Sequence, residues 1–134
     1  SRQRQMCIRD SGDSASITMA TAIISAFEGV PIDQNLAMTG SLSVRGEVLP
    51  IGGVSAKIEA AVKSGIERVV IPRSNLQDVL IDEKYESMVE IIAVDSLDEV
   101  LEHALVGEQE KISLVERLAK VIDTFSATSD STLA

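Results

Sequence analysis

Apolar residues crowd the first third of the chain and then thin into short alternating and amphipathic stretches. Over residues 14–28, Ile17, Ala20, Ile24 and Phe27 keep the i, i+3, i+4 spacing of a helix, and Met19, Ala22, Ile23 and Ala26 fill its other faces. A helix apolar nearly all round predicts burial, and Gly29 followed by Pro31 stops it. Residues 36–44 alternate loosely and are rich in small and β-branched side chains, which predicts a strand. Arg45-Gly46 turns that strand back into a second one over residues 47–50, as a hairpin. Residues 57–63 predict an amphipathic helix with Ile58, Ala61 and Val62 inward, ended by Gly65. A short buried strand over 68–71 is closed by Pro72, and Ser74 is the expected N-cap of a short helix reaching Leu80. Residues 89–94 predict another strand. Ser96 caps a helix through Leu105 with Leu97, Val100, Leu101 and Ala104 on one face, and Gly107 breaks it. Residues 108–125 predict a last amphipathic helix carrying Leu114, Leu118, Val121, Ile122 and Phe125. The small polar stretch 126–134 is expected to fray.

Helix and strand alternate through the second half, which argues for an α/β fold of mixed small sheets packed with helices. The 134 residues suffice for one domain with one core. With aromatics at 2%, that core must be aliphatic. Residues 1–11 lack a clear period and are basic in an acidic chain, so they read as a non-native or disordered leader. The domain proper is assigned to 12–106 and the C-terminal helix with its tail to 107–134.

Charge and composition narrow the function. Twelve Lys and Arg stand against 21 Asp and Glu, a formal net charge of −9, so a nucleic-acid backbone is a poor partner. Cys7 is the single cysteine and excludes an internal disulfide. No apolar run approaches the ~20 residues of a membrane span. One cysteine and one histidine, His103, cannot make a conventional zinc site. The acidic residues Asp78, Asp82, Glu83 and Glu86 read as a solvated face.

Two short motifs carry chemistry. In Gly12-Asp13-Ser14-Ala15-Ser16 a serine opens a long helix, where free backbone N–H groups favour a developing oxyanion. In Pro50-Ile51-Gly52-Gly53-Val54-Ser55-Ala56-Lys57 a lysine follows a Gly-Gly bend among apolar neighbours. A serine hydroxyl is a weak nucleophile until a base takes its proton, and a lysine in apolar surroundings can serve. Taken alone, the first motif is better explained as a helix cap and the second as a solvated helix lysine. Thr39, in Ala37-Met38-Thr39-Gly40, could orient the lysine through its hydroxyl. An Asp13 carboxylate beside Lys57 would hold the amine charged, so such a pair reads as a resting state that opens before catalysis. Gly46 to Gly53 lacks the Gly-Lys-Ser/Thr ending of a phosphate loop.

Taken together, residues 12–16, the run Met38-Thr39-Gly40-Ser41-Leu42-Ser43-Val44-Arg45-Gly46-Glu47-Val48-Leu49-Pro50-Ile51-Gly52-Gly53, and Lys57 resemble the proteolytic domain of Lon proteases. The Asp before the serine, and Ser-Ala-Ser in place of Ser-Ala-Gly, resemble the archaeal, membrane-anchored branch. One departure is Ser11, where that branch usually carries a glutamate. The resemblance covers Gly12 to about Leu105. It implies the Lon catalytic fold with its N-terminal part missing, a Ser14–Lys57 dyad as catalytic pair, and Thr39 and Asp13 in support. It implies an ATP-dependent endopeptidase that degrades misfolded and regulatory proteins as a homo-hexamer. No cofactor is expected in these residues; ATP and Mg belong to an ATPase module absent from them. The expected location is cytoplasmic, with any membrane attachment through the upstream part of the parent chain. A non-catalytic ring-forming scaffold and an ATP-independent Lon-like peptidase are the alternative readings.

Overall fold

A computed structural model describes residues 15–133, with the side chains of 108–110 and 126–133 outside the description. The elements run α1 (Ser16–Glu28), β1 (Leu36–Met38), β2 (Ser41–Leu42), β3 (Val48–Leu49), α2 (Val54–Lys63), β4 (Arg68–Pro72), a 3-10 segment (Arg73–Asp78), α3 (Glu83–Glu86), β5 (Glu90–Val94), α4 (Leu97–Ala104) and α5 (Glu108–Leu133). β1, β4 and β5 form a parallel sheet with β4 central, and β2 and β3 form a separate antiparallel pair. The register places Met38 opposite Val70, and Val70 opposite Ile92.

After Arg68 the central strand is apolar, from Val69 to Pro72, because both of its faces are covered there. Val69 and Ile71 point to α2 and pack with Val54, Ile58, Ala61 and Val62. Val70 points the other way and joins Ile17, Leu36, Val48, Ile92, Val94, Leu97, Val100 and Ala104. That two-residue alternation is the strand period. A third cluster of Val30, Leu101, Leu105 and Leu114 ties α4 to α5 and to the turn after α1. All four residues expected on the inner face of α4 are buried.

Several expectations need correction. The single strand over 36–44 is two strands in two sheets. Gly40 has φ +151 and separates them, and a Cβ there would meet Val48 Cγ1 at 3.1 Å, Ile17 Cδ1 at 3.2 Å and Pro72 Cγ at 3.3 Å. Only glycine lets the chain leave one sheet and turn over the core at that point. Secondly, α1 is not buried all round: Ile17 and Thr21 are buried, while Met19, Ile23 and Phe27 are exposed. One helix has one inner face, and the sheet offers no cover to the other. Thirdly, Ser74 caps nothing; the short helix is a 3-10 segment that begins at Arg73 behind extended Pro72. Lastly, α2 starts three residues earlier than the amphipathic stretch, at Val54, because Gly53 at φ +70 turns the chain into the helix.

Ser96 does stand at the cap position of α4, in extended backbone. Its hydroxyl meets Glu99 Oε1 at 3.3 Å, and the Asp95 N–H donates to the same oxygen at 3.2 Å. The Ser96 hydroxyl makes no bond to the backbone N–H groups of the helix, so the glutamate instead ties down the residue before the cap. The hairpin of β2 and β3 forms as expected, with Ser43 and Glu47 bonded across the turn. α5 continues through Leu133, across the stretch expected to fray, and buries Leu114 while leaving Val121 and Phe125 exposed. Among the described residues no helix is long and apolar enough to cross a membrane.

Candidate active site

The sheet and the starts of two helices enclose a cleft. Its cavity, about 300 Å³, is lined by Ala15, Thr18, Ala37, Met38, Thr39, Lys57, Ala60 and Val69. α1 contributes Ala15 and Thr18, β1 and the residue after it contribute Ala37, Met38 and Thr39, α2 contributes Lys57 and Ala60, and Val69 of β4 forms the floor. Three alanines keep the space open, since larger side chains at these positions would fill it.

Each wall has a local cause. Ala15 is the cap residue of α1 and offers no side-chain hydrogen bond to the helix. Ser16, next along, accepts a hydrogen bond at its hydroxyl from the Leu42 N–H at 3.0 Å, which fastens the start of α1 to the hairpin. Thr18 Oγ1 makes a longer contact to the Met38 carbonyl, 3.4 Å, between α1 and β1. Thr39 is buried, and its N–H donates to the Val70 carbonyl at 3.0 Å, extending the β1–β4 ladder by one rung. Lys57 is half-buried and lies four residues into α2, its N–H donating to the Gly53 carbonyl at 3.2 Å.

The structure therefore brings Lys57 and Thr39 to one cleft, and Ala15, the residue that follows Ser14 in the chain, lies on its wall. Ser14 and Asp13 are outside the described residues. His103 is half-buried on α4 and does not line the cleft. The cleft walls are apolar apart from Thr18, Thr39 and Lys57, so they supply one amine and two hydroxyls to a reaction. Among the described residues no group of His, Cys, Asp or Glu is arranged to hold a metal ion.

Sequence reasoning missed several contributors. Thr18, Met38, Ala60 and Val69 line the cleft through tertiary packing that no local pattern announces. Ser16, which the sequence offers only as part of the Ser-Ala-Ser motif, ties the helix start to the hairpin. Asn75 is buried in the 3-10 segment beside the bend that leads to Lys57; a lone asparagine in a loop has no periodic signal.

Residues 5–107 match the family profile described as Lon protease (S16) C-terminal proteolytic domain. The match starts inside the 1–11 segment. The chain is 64% identical over 110 residues to an archaeal Lon protease of Halobacterium salinarum, covering 82% of this chain and 16% of that protein. It is 59% identical over 112 residues to an archaeal Lon protease of Methanothermobacter thermautotrophicus, covering 84% of this chain and 17% of that protein. It is 45% identical over 107 residues to a Lon protease of Azorhizobium caulinodans, covering 79% of this chain and 12% of that protein. The chain thus spans about a sixth of the length of its archaeal relatives.

Proposed function

The chain belongs to the Lon protease C-terminal proteolytic domain family, and from that premise we propose that it is the peptidase part of a Lon-type serine endopeptidase, with Ser14 as nucleophile and Lys57 as base. The observation that carries this reading is the cleft itself: Lys57 and Thr39 meet there beside Ala15, at the mouth of the helix that Ser14 precedes.

The chemistry runs as follows. The neutral Lys57 amine takes the Ser14 hydroxyl proton as Oγ attacks the scissile carbonyl carbon. The carbonyl oxygen becomes an oxyanion, stabilised by backbone N–H groups at the start of α1. The C–N bond breaks, and the leaving amine takes its proton from the Lys57 ammonium. Water then attacks the acyl-serine ester, again giving a proton to Lys57, and the acid departs as Ser14 recovers its hydrogen. Thr39 supports the amine from the strand side. Asp13 pairs with Lys57 in a resting state.

The parent protein degrades misfolded and regulatory polypeptides in an ATP-dependent manner as a homo-hexamer. ATP and Mg are held by a module outside these residues. The protein acts in the cytoplasm, and attachment to the cytoplasmic face of a membrane runs through the parent chain. The test is hydrolysis of casein and of a short peptide by the full-length parent, with and without ATP, for wild type, Ser14→Ala and Lys57→Ala. The reading requires cleavage by wild type, stimulated by ATP for casein, and background rates for both variants in assembled, folded protein. Absence of cleavage by wild type under every condition would favour a scaffold role.

A further inference from the structure

Asn75 is only 1% exposed, yet its side-chain amide has three partners. Its Oδ1 accepts the Ile51 N–H at 2.9 Å, and its Nδ2 donates to the Ile51 carbonyl at 3.0 Å and to Asp78 Oδ2 at 2.9 Å. Both backbone groups of one residue are thus gripped by one side chain, which an amide can do because it carries donor and acceptor together. Ile51 directly precedes Gly52 and Gly53, the bend that turns the chain into α2. Among the described residues neither glycine is held by packing: both are exposed, and a Cβ at either would meet none of those residues within 4 Å. A glycine bend without neighbours is conformationally free, so its shape must be set by its flanks.

Those flanks are tied to a single segment. Behind the bend stands the Asn75–Ile51 grip. Ahead of it, the Ser55 hydroxyl donates to the Asp78 carbonyl at 3.1 Å and accepts the Leu80 N–H at 2.8 Å. Residues 75–80 therefore bracket the start of α2 on both sides of the bend. The helix itself is held on the sheet by Val54, Ile58, Ala61 and Val62. What the bracket adds is the tilt and register of the first turns, where Lys57 lies.

We propose that Asn75 is a positioning residue for the hydrolytic pair: by gripping Ile51 at both ends it fixes the unpacked Gly52-Gly53 bend, and with it the line along which α2 presents Lys57 to the cleft. The proposal rests on Lys57 acting as base. It is tested in the full-length parent by peptide kcat and KM, together with the melting temperature, for wild type, Ser14→Ala, Asn75→Ala, Asp78→Ala and Asp78→Asn. Misplacement of a catalytic group costs rate steeply, so Asn75→Ala is expected to lower kcat about tenfold or more while KM stays within about twofold. Asp78 is exposed, so its variants preserve the fold if Asn75→Ala does not. Asp78→Ala is expected to show a smaller kcat loss of the same kind, and Asp78→Asn, which keeps an acceptor for the Asn75 amide, to recover the rate. A wild-type kcat in Asp78→Ala, and in Asn75→Ala where it folds, with only a lowered melting temperature, would reduce Asn75 to a structural part and overturn the proposal. Wild type no faster than Ser14→Ala would instead overturn the hydrolase reading and take this inference with it.

Discussion

Ser16 shows how a single hydroxyl can serve a site without touching the reaction. Its bond from the Leu42 N–H fixes the first turn of α1 to the hairpin, one residue beyond Ala15 on the cleft wall. Ser16→Ala removes the acceptor and is expected to lower stability by about 1 kcal/mol, read by chemical denaturation. Asp13 makes a second prediction. If its carboxylate only holds Lys57 in a resting state, Asp13→Ala retains peptide hydrolysis; complete loss of activity in a folded variant would show that Asp13 has a direct role. At this scale the motifs announced Lys57 and Thr39, which meet in one cleft: Lys57 follows the Gly52-Gly53 bend into α2, and Thr39 comes one residue after β1. Asn75 was illegible because its importance comes from Ile51, 24 positions away in the chain, and side-chain-to-backbone grips leave no period.

Secondary-structure elements were read best where one face alone is apolar. The inner face of α4 and of α2 follows from spacing, and Leu101 is completely buried as expected. Leu101→Ala is expected to cost about 2–5 kcal/mol, the range for emptying a core leucine site, measured by thermal or denaturant unfolding. The strand boundaries were read less well. The alternating pattern of 36–44 continues smoothly through Gly40, although the chain changes sheets there, because side-chain period reports which face is covered and not which partner strand supplies the hydrogen bonds. The sequence cue was the glycine, whose neighbours leave no room for a methyl group. Gly40→Ala is therefore expected to destabilise the fold by about 2 kcal/mol or more, from the positive φ and the crowding of Val48, Ile17 and Pro72 together. A melting temperature equal to wild type would mean that this junction relaxes freely.

Over the whole molecule, the α/β layout places a parallel sheet between α2 on one side and α1 with α4 on the other, and the cleft opens where β1 meets the starts of α1 and α2. The all-round apolar pattern of α1 suggested full burial, but Phe27 is 89% exposed. Hydrophobicity counts alone cannot distinguish a helix covered on all sides from one covered on a single side, since cover depends on how many layers surround it. Phe27→Ser is accordingly expected to change the stability of this chain by less than about 0.5 kcal/mol. The acidic balance of the chain leaves a few ion pairs at its surface, such as Arg73 to Asp95 at 2.8 Å and Arg68 to Asp33 at 3.0 Å. The Arg73 pair is exposed and worth little singly, while Arg68 and Asp33 are half-buried; the bulk of the fold rests on its aliphatic core.

The claim on which the rest depends is that Ser14 is a nucleophile activated by Lys57. It is tested most directly by treating the full-length parent with a serine-reactive phosphonate and locating the adduct by mass spectrometry, in wild type, Lys57→Ala and Lys57→Arg. The account predicts a single adduct on Ser14 in wild type. It predicts a labelling rate lower by about a thousandfold or more in both lysine variants, because alanine has no base and arginine keeps its proton. An adduct on another residue, or labelling of Lys57→Ala at the wild-type rate, would contradict it.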